Sequence, residues 1–195
     1  MRKVVVNNNL TLDGVMQAPA RPDEDTRDGF RHGGWAAPYF DPMMFQGRPG
    51  AAAPGPGAML FGRRTWEDFH KVWPKRTDNP FTPLLNAATK YVASTTLQEP
   101  LVWANSVLLA GDVAGAVAKL KAEPGPDLIV LGSGDLLQTL MRHGLVDEYR
   151  LLIHPLVLGS GQRLFREGGA FAALKLVDSQ TTKTGVVIAT YRPAR

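Results

Sequence analysis

Residues 127–161 read DLIVLGSGDLLQTLMRHGLVDEYRLLIHPLVLGSG, and this stretch decides the fold. Its first part, residues 128–131, is an unbroken apolar run between turn residues, as in a strand buried on both faces. A glycine turn follows, and then a helix whose apolar residues recur at helical spacing until Gly144, which is placed to end it. A second apolar run begins at Tyr149. Strand, glycine turn, helix and strand predict a crossover unit with a sheet at its centre.

The glycine turn of this unit has two interpretations. Free N–H groups at a helix N-terminus form an anion site, and Gly132 and Gly134 would let a phosphate approach the main chain. Alternatively, the glycines only make a tight turn, and Ser133 or Asp135 caps the helix. Asp135 would repel an anion unless its side chain points away. The turn alone does not decide between the two, because glycine motifs this short often match by chance.

Length and composition describe an ordinary globular protein. The chain has 195 residues, of which 44% are hydrophobic and 21% charged, and we predict a single domain over residues 1–195. Cysteine is absent, which excludes disulfides, thiolate metal sites and a cysteine nucleophile. We expect a cytoplasmic protein, because the sequence lacks both a secretory signal and an apolar stretch long enough to span a membrane. The net charge is +4 and the basic residues are scattered along the chain, so we expect no nucleic-acid partner.

Strands alternate with helices through most of the remaining chain. This pattern predicts an α/β fold with a largely parallel sheet, and a hairpin around residues 182–185 predicts an antiparallel C-terminal edge. Ligands of such sheets bind beyond the carboxyl ends of the strands. Polar or glycine-rich residues follow four of the predicted strands: Asp13 with Gly14, Gly62 to Thr65, Ser94 with Thr95, and Gly132 to Gly134. We therefore predict a ligand site along that edge.

Two segments have no readable secondary structure. Residues 17–28 are polar and contain two prolines, which predicts a long surface loop. Residues 47–57 read GRPGAAAPGPG and are irregular by composition. The shape of any substrate pocket depends on both segments, so the sequence does not identify the substrate.

Several motifs in their order along the chain resemble one family. They are LDG at residues 12–14, GRRT at 62–65, VAST at 92–95, GSG at 132–134 and LVDEYRLLIHPLVLGSGQRLF at 145–165. Together they resemble the dihydrofolate reductase-like superfamily, in the branch of the riboflavin-biosynthesis reductase domain. The resemblance implies a central eight-stranded, mostly parallel sheet with helices on both faces. It also implies NADPH as cofactor, hydride transfer to a pteridine-like, pyrimidinone or related heterocycle, and a homodimer.

The resemblance also implies which residues bind the cofactor. GRRT would hold phosphate, Ser94 and Thr95 would lie near the adenosine 2′-phosphate, and the GSG turn would meet the pyrophosphate. The implied cofactor-binding residues are Gly14, Gly62, Arg63, Arg64, Thr65, Ser94, Thr95, Gly132, Ser133, Gly134, Asp135 and Leu136. Ser133 departs from the paired glycines of dihydrofolate reductases, and its hydroxyl can donate a hydrogen bond to phosphate.

The substrate side rests on two carboxylates and one aromatic residue. Asp13 corresponds to an aspartate that faces substrate in the riboflavin branch, whereas the simpler interpretation is an Asp–Gly turn without chemistry. Asp41 resembles the first-helix carboxylate of dihydrofolate reductases, but the proline after it makes a helix N-cap an equal alternative. Trp35 is the candidate for an aromatic pocket wall. We interpret His154 as structural, and we predict no metal site.

Two functions of different classes fit these residues. The first is an NADPH-dependent reductase, with Asp13 and Asp41 as candidate catalytic residues. The second is a non-catalytic nucleotide- or ligand-binding module of the same fold, because fold alone does not establish turnover.

Overall fold

The structure is a computed structural model, and it describes residues 1–45, 57–79 and 81–194. Most of the segment predicted to be irregular, residues 47–56, therefore lies outside the described residues. The chain divides into two compact units. The first comprises Met1–Val5 and Ala52–Val146, and the second comprises Val6–Ala51 and Asp147–Arg195.

The strands are β1 Val4–Thr11, β2 Ala58–Gly62, β3 Lys90–Ala93, β4 Ser106–Leu109, β5 Leu128–Val130, β6 Glu148–His154, β7 Leu174–Thr181 and β8 Val187–Pro193. The α-helices are α1 Arg63–Val72, α2 Phe81–Ala87, α3 Val113–Ala122 and α4 Gly134–Arg142. α-Helices separate the strands between β2 and β6, except that β4 follows β3 directly, and the last three strands follow one another without an α-helix. Short 3₁₀ helices cover Arg27–Gly29, Ala37–Tyr39, Pro42–Phe45 and Trp73–Lys75.

The first unit contains parallel strands followed by helices. β2 pairs in parallel with β3 and β5, and β3 pairs in parallel with β4. Gly62 is in register with Ala93, so β2 and β3 end at the same level. An aromatic core that includes Phe61, Trp66 and Trp103 buries one part of this unit. Strand ends that are level in a parallel sheet present the residues after them to the same edge.

The second unit contains the antiparallel part of the sheet. β8 pairs antiparallel with both β6 and β7, and β7 has a register irregularity between Leu176 and Asp178. The predicted hairpin turn is confirmed, because the Thr182 N–H donates to the Val186 carbonyl at 2.9 Å. β6 ends at His154, so the apolar residues after it belong to a loop and not to the strand.

The predicted fold class is confirmed. The sheet has eight strands in the order β4-β3-β2-β5-β1-β6-β8-β7, mostly parallel with antiparallel strands at the C-terminal edge. β1 lies between β5 and β6 in this order, so the two strands of the crossover unit are not neighbours. The short β-α-β spacing of the sequence predicts the unit but not the insertion of another strand into it.

The loop predicted at residues 17–28 is less exposed than its polar composition suggests. Gln17 is buried, and its side-chain amide donates to the carbonyls of Asp25 and Arg27 at 3.3 and 3.2 Å. The Gln17 amide oxygen accepts from the Gln162 N–H at 2.9 Å. A polar residue is tolerated inside because all three bonds satisfy it, and they fix the course of the loop.

Candidate functional site

In the first unit, the starts of α1 and α4 are joined by hydrogen bonds. The Ser133 N–H donates to Thr65 Oγ1 at 3.0 Å, and the Gly62 N–H donates to Ser133 Oγ at 3.0 Å. The Ser133 hydroxyl in turn donates to the Leu131 carbonyl at 2.9 Å. Each strand-to-helix turn thus supplies the partner that the other one needs, and the two helix N-termini are fixed beside each other.

Ser133 has a role in this arrangement that the sequence did not reveal. Its backbone is left-handed, with φ 58° and ψ 43°, a conformation that disfavours residues with a Cβ. Its hydroxyl makes no N-cap bond to α4, and its proton already goes to Leu131. The expected hydrogen bond from this hydroxyl to phosphate is therefore at odds with the contacts. The candidate donors to a phosphate are instead the backbone N–H groups at the start of α4.

The residues of these two turns fit a pyrophosphate. The first N–H groups of α1 and α4 have no acceptor within their own helices, and both helix dipoles favour an anion there. A Cβ at Gly132 would lie 3.2 Å from Thr65 at a backbone φ of +55°, so glycine suits both the turn and its close approach to Thr65. Gly134, the first residue of α4, and Leu136, also in its first turn, belong to this helix start. This is the arrangement by which glycine turns and helix N-termini bind phosphate groups.

The two arginines of GRRT have different partners. Arg63 Nη1 lies 3.9 Å from Glu67 on its own helix, whereas Arg64 Nη1 lies 3.9 Å from Asp135 in the first turn of α4. Both contacts are long and exposed, and ion pairs of this kind contribute little. An arriving phosphate can therefore recruit either guanidinium. Asp135 is the single acidic side chain that we predicted in this group, and Arg64 offsets its charge.

Ser94 and Thr95 follow β3 in the same unit. Ser94 is buried, and its Oγ accepts from the N–H groups of Thr96 and Leu97 at 3.1 and 3.0 Å. It shapes the turn after the strand. Thr95 is exposed, so its hydroxyl is the more accessible of the two.

In the second unit, Asp13 closes a loop. Its carboxylate accepts from the N–H groups of Gly159 and Leu158 at 2.9 and 3.3 Å and from the Thr11 hydroxyl at 2.5 Å. Arg163 donates through Nε to the Asp13 carbonyl at 2.8 Å, and its Nη2 lies 3.4 Å from the carboxylate. Both carboxylate oxygens thus have donors before any ligand is considered.

These donors set the charge of Asp13. Burial by itself would raise the pKa of Asp13, but the hydrogen bonds from Thr11, Gly159 and Leu158 outweigh it and lower the pKa to about 2. The carboxylate is therefore ionised at neutral pH and has no proton to donate. It can orient or polarise a substrate, but it cannot act as a general acid.

Gly14 completes the same turn. Its φ is +78°, which is a left-handed conformation, and its N–H donates to the Thr11 carbonyl at 2.9 Å. Its carbonyl accepts from the Leu164 N–H at 3.0 Å. The structure thus gives Gly14 a turn-forming role, and its cofactor contact stays a prediction.

Asp41 caps the N-terminus of the Pro42–Phe45 helix, which is one of the two interpretations of this residue. Its Oδ1 accepts from the Met43 N–H at 2.9 Å at the start of the Pro42–Phe45 helix, and its Oδ2 accepts from the Lys183 N–H at 3.1 Å. The residue is buried. Of the two alternatives, the geometry favours the cap, because both oxygens are occupied by backbone donors.

Trp35 and His154 lie in contact in the second unit. Trp35 is buried, and its indole N–H donates to the Gln17 carbonyl at 2.7 Å. Its ring stands edge-on to His154 at 5.2 Å between centroids. Among the described residues, no group of three or more His, Asp or Glu side chains is placed to hold a metal ion.

Two contributors to these sites escaped prediction. Arg163 binds Asp13 from 150 positions away, and Asn9 binds His154 across 145 positions. Neither residue has a local sequence signal, although Arg163 stands within the GSGQRLF motif. In the described part of the chain, no helix has both the length and the apolarity needed to cross a membrane.

Comparison with known proteins decides the family. The sequence matches the profile of the RibD C-terminal domain over residues 2–188. The chain belongs to the RibD C-terminal domain family. It is also 34% identical over 137 residues to the YyaP protein of Bacillus subtilis, covering 68% of this chain and 72% of that protein. The predicted family resemblance is thereby confirmed.

Solved structures agree on the fold of this RibD C-terminal domain family member. A putative riboflavin biosynthesis protein from Shewanella sp. PV-4 is 21% identical, with a TM-score of 0.69 and full coverage of both chains. The dihydrofolate reductase of Enterococcus faecalis, solved with NADP(H), is 11% identical, with a TM-score of 0.57 and coverage of 99% of this chain and 97% of that one. Family and fold together support a reductase-type function.

Proposed function

We propose that the protein is an NADPH-dependent reductase of a pteridine-like, pyrimidinone or related heterocyclic small molecule. The observation that carries the proposal is the pair of interlocked helix starts, Gly62 to Thr65 and Gly132 to Leu136. They combine two helix N-termini, a glycine in close approach to Thr65 and two loosely held arginines within one unit of a RibD C-terminal domain family member.

The residues of the chain have limited but definite tasks in such a reaction. NADPH, when bound, supplies the hydride. The two turns and Arg64 would bind its pyrophosphate, and Arg63 and Thr95 would serve the additional charge of its 2′-phosphate. Asp13 is ionised, so the proton for the substrate would come from water. The Asp13 carboxylate would orient or polarise the substrate.

The test is consumption of NADPH, followed by its absorbance, with a panel of acceptors. The panel comprises dihydrofolate, oxidised flavins, small quinones and the ribosylamino-pyrimidinone of riboflavin synthesis. We expect turnover on at least one heterocycle. We expect Gly132→Val to abolish it by disrupting the two helix starts, because a Cβ there would lie 3.2 Å from Thr65 at a strained φ of +55°. A folded protein that does not bind NADPH would refute the proposal.

A second candidate is a non-catalytic nucleotide- or ligand-binding module. The specific observation in its favour is that the oxygens of both Asp13 and Asp41 are occupied by donors from the chain itself. Tight NADPH binding without turnover on any of the acceptors would support this module over the reductase.

A further inference from the structure

The second unit contains a buried histidine with an unused ring nitrogen. His154, the last residue of β6, is 0% exposed, and its Nε2 lies 2.9 Å from Asn9 Oδ1. A carboxamide oxygen can only accept, so Nε2 carries the proton and Nδ1 presents a lone pair. Among the described residues, that Nδ1 has no hydrogen-bond partner. An unpaired acceptor in the interior is costly, and native structures retain few of them without a reason.

Two aromatic rings contact the His154 imidazole. The rings of Trp35 and Tyr39 both stand edge-on to the imidazole, with centroids at 5.2 and 5.6 Å. Trp35 is fixed by its bond to the Gln17 carbonyl. Burial lowers the pKa of His154 to about 4, so the imidazole is neutral and accepting at neutral pH. Apolar rings around one oriented polar atom are the usual composition of a site for a flat small molecule.

The segment that contains Tyr39 is partly exposed to solvent. Tyr39 ends the short Ala37–Tyr39 helix and is only half-buried, while Pro38 is exposed and the Phe40 side chain is 63% exposed. Trp35 belongs to the core, but Tyr39 does not have that support on all sides. Tyr39 packs against the buried cluster of Met44, Leu152, Val186 and Ile188, and a ligand that replaced its ring would contact the His154 imidazole.

We propose that His154 Nδ1 accepts a hydrogen bond from a ring N–H of a flat heterocyclic ligand, which takes the place of the Tyr39 ring beside Trp35. The inference rests on the proposed function and narrows its substrate class to heterocycles that present an N–H donor. It assigns His154 to the site as a specificity-determining residue, whereas the sequence indicated a structural histidine.

The experiment uses lumazine and 1,3-dimethyllumazine as probes, because they share one flat ring system and differ in the two N–H donors. Binding to the full chain is measured by ligand fluorescence. Wild type should bind lumazine about tenfold more tightly, the equivalent of one good hydrogen bond to a buried acceptor. His154→Phe keeps a flat ring without nitrogen, and it should bind the two probes about equally.

A second variant and a spectroscopic measurement separate this role from a structural one. Asn9→Leu with His154→Phe removes both polar partners together, so it guards against misfolding of the single variant and should also lose the discrimination. In protein labelled with ¹⁵N-histidine, the Nδ1 resonance of His154 should move with lumazine and not with the dimethyl compound. The His154→Phe spectrum identifies that resonance among the four histidines.

The contrary outcomes are distinct. Discrimination that persists in both variants, or a His154 resonance unmoved by saturating lumazine, would overturn the inference. Absence of lumazine binding to wild type that still binds NADPH would also overturn it and would leave the proposed function standing. Absence of NADPH binding would instead refute the proposed function.

Discussion

Asp13 and Asp41 show how a single carboxylate is used when a loop must be held. Each accepts hydrogen bonds from two backbone N–H groups, Asp13 from the distant neighbours Leu158 and Gly159, and Asp41 from the nearby Met43 and the distant Lys183. For Asp13, such bonds favour the ionised form, because a carboxylate accepts more strongly than a carboxylic acid. At the scale of the residue, these two carboxylates therefore hold loops in place, whether or not either takes part in a reaction.

Asp13 should make stability depend on acid pH. Its pKa is about 2 in the folded protein against 3.8 in the unfolded chain, so its contribution is fully present above about pH 4 and is lost as the pH falls through about 2. Asp13→Asn should lower the free energy of unfolding by about 1 kcal/mol at neutral pH, a figure reduced for solvent screening. Urea denaturation at several pH values measures it. The gap from wild type should shrink towards about pH 2, and a gap independent of pH would contradict the assignment.

Ser133 offers a second test at the residue scale. Ser133→Ala removes the acceptor of the Gly62 N–H but keeps a Cβ in the left-handed conformation, and it should cost about 1–3 kcal/mol of unfolding free energy. Ser133→Gly removes the same hydroxyl and also relieves the strain of about 1 kcal/mol, so it should be the more stable of the two variants. Chemical denaturation of both decides. A glycine variant less stable than the alanine variant would show that the backbone strain is not real.

At the scale of the element, a strand end and the helix after it act as one unit. α1 begins directly after β2, α4 begins after a three-residue turn from β5, and the two helix starts are joined by hydrogen bonds through Thr65 and Ser133. The glycine and polar residues at these turns were visible in the sequence, so their elements could be predicted. The exchange itself could not, because the two hydroxyls are 68 positions apart and either could equally have faced a ligand.

The arginines should divide the recognition of NADPH between them. Arg64 lies 3.9 Å from Asp135 at the start of α4, the turn assigned to pyrophosphate, whereas Arg63 lies 3.9 Å from Glu67 of its own helix. Arg63→Ala should therefore lose about 1.5–3 kcal/mol of NADPH affinity with little change for NADH, and Arg64→Ala should weaken both cofactors alike.

Titration of each variant with both cofactors gives this comparison directly, and each variant is the matched control for the other. If Arg64→Ala alone narrows the gap between NADPH and NADH, the two roles are exchanged. If neither variant narrows it, GRRT is not the 2′-phosphate site.

At the scale of the whole molecule, the pattern of strands and helices was enough for the fold class and the antiparallel C-terminal edge. The position of β1 between β5 and β6 was not predictable, because strand order depends on contacts across the whole chain and local periodicity does not report them. The candidate site residues likewise fall into a predictable and an unpredictable group. The motif residues were found, but Asn9 and Arg163 acquire their roles only through partners more than 140 positions away.

The C-terminal edge carries the prediction about assembly. β7 is the last strand in the sheet, and Leu176 and Val177 are 50% and 37% exposed beside a register irregularity that hinders simple strand addition. We therefore expect a symmetric homodimer that covers the side chains of this region. Light scattering at micromolar concentration should give twice the chain mass of 21.2 kDa.

Leu176→Lys with Val177→Lys should halve the measured mass, because burying two ammonium groups opposes association. Val102→Lys, at an apolar residue of the first unit that is 75% exposed, is the matched control and should stay dimeric. A monomeric wild type would refute the dimer, and a dimer that survives the double substitution would place its interface on another surface.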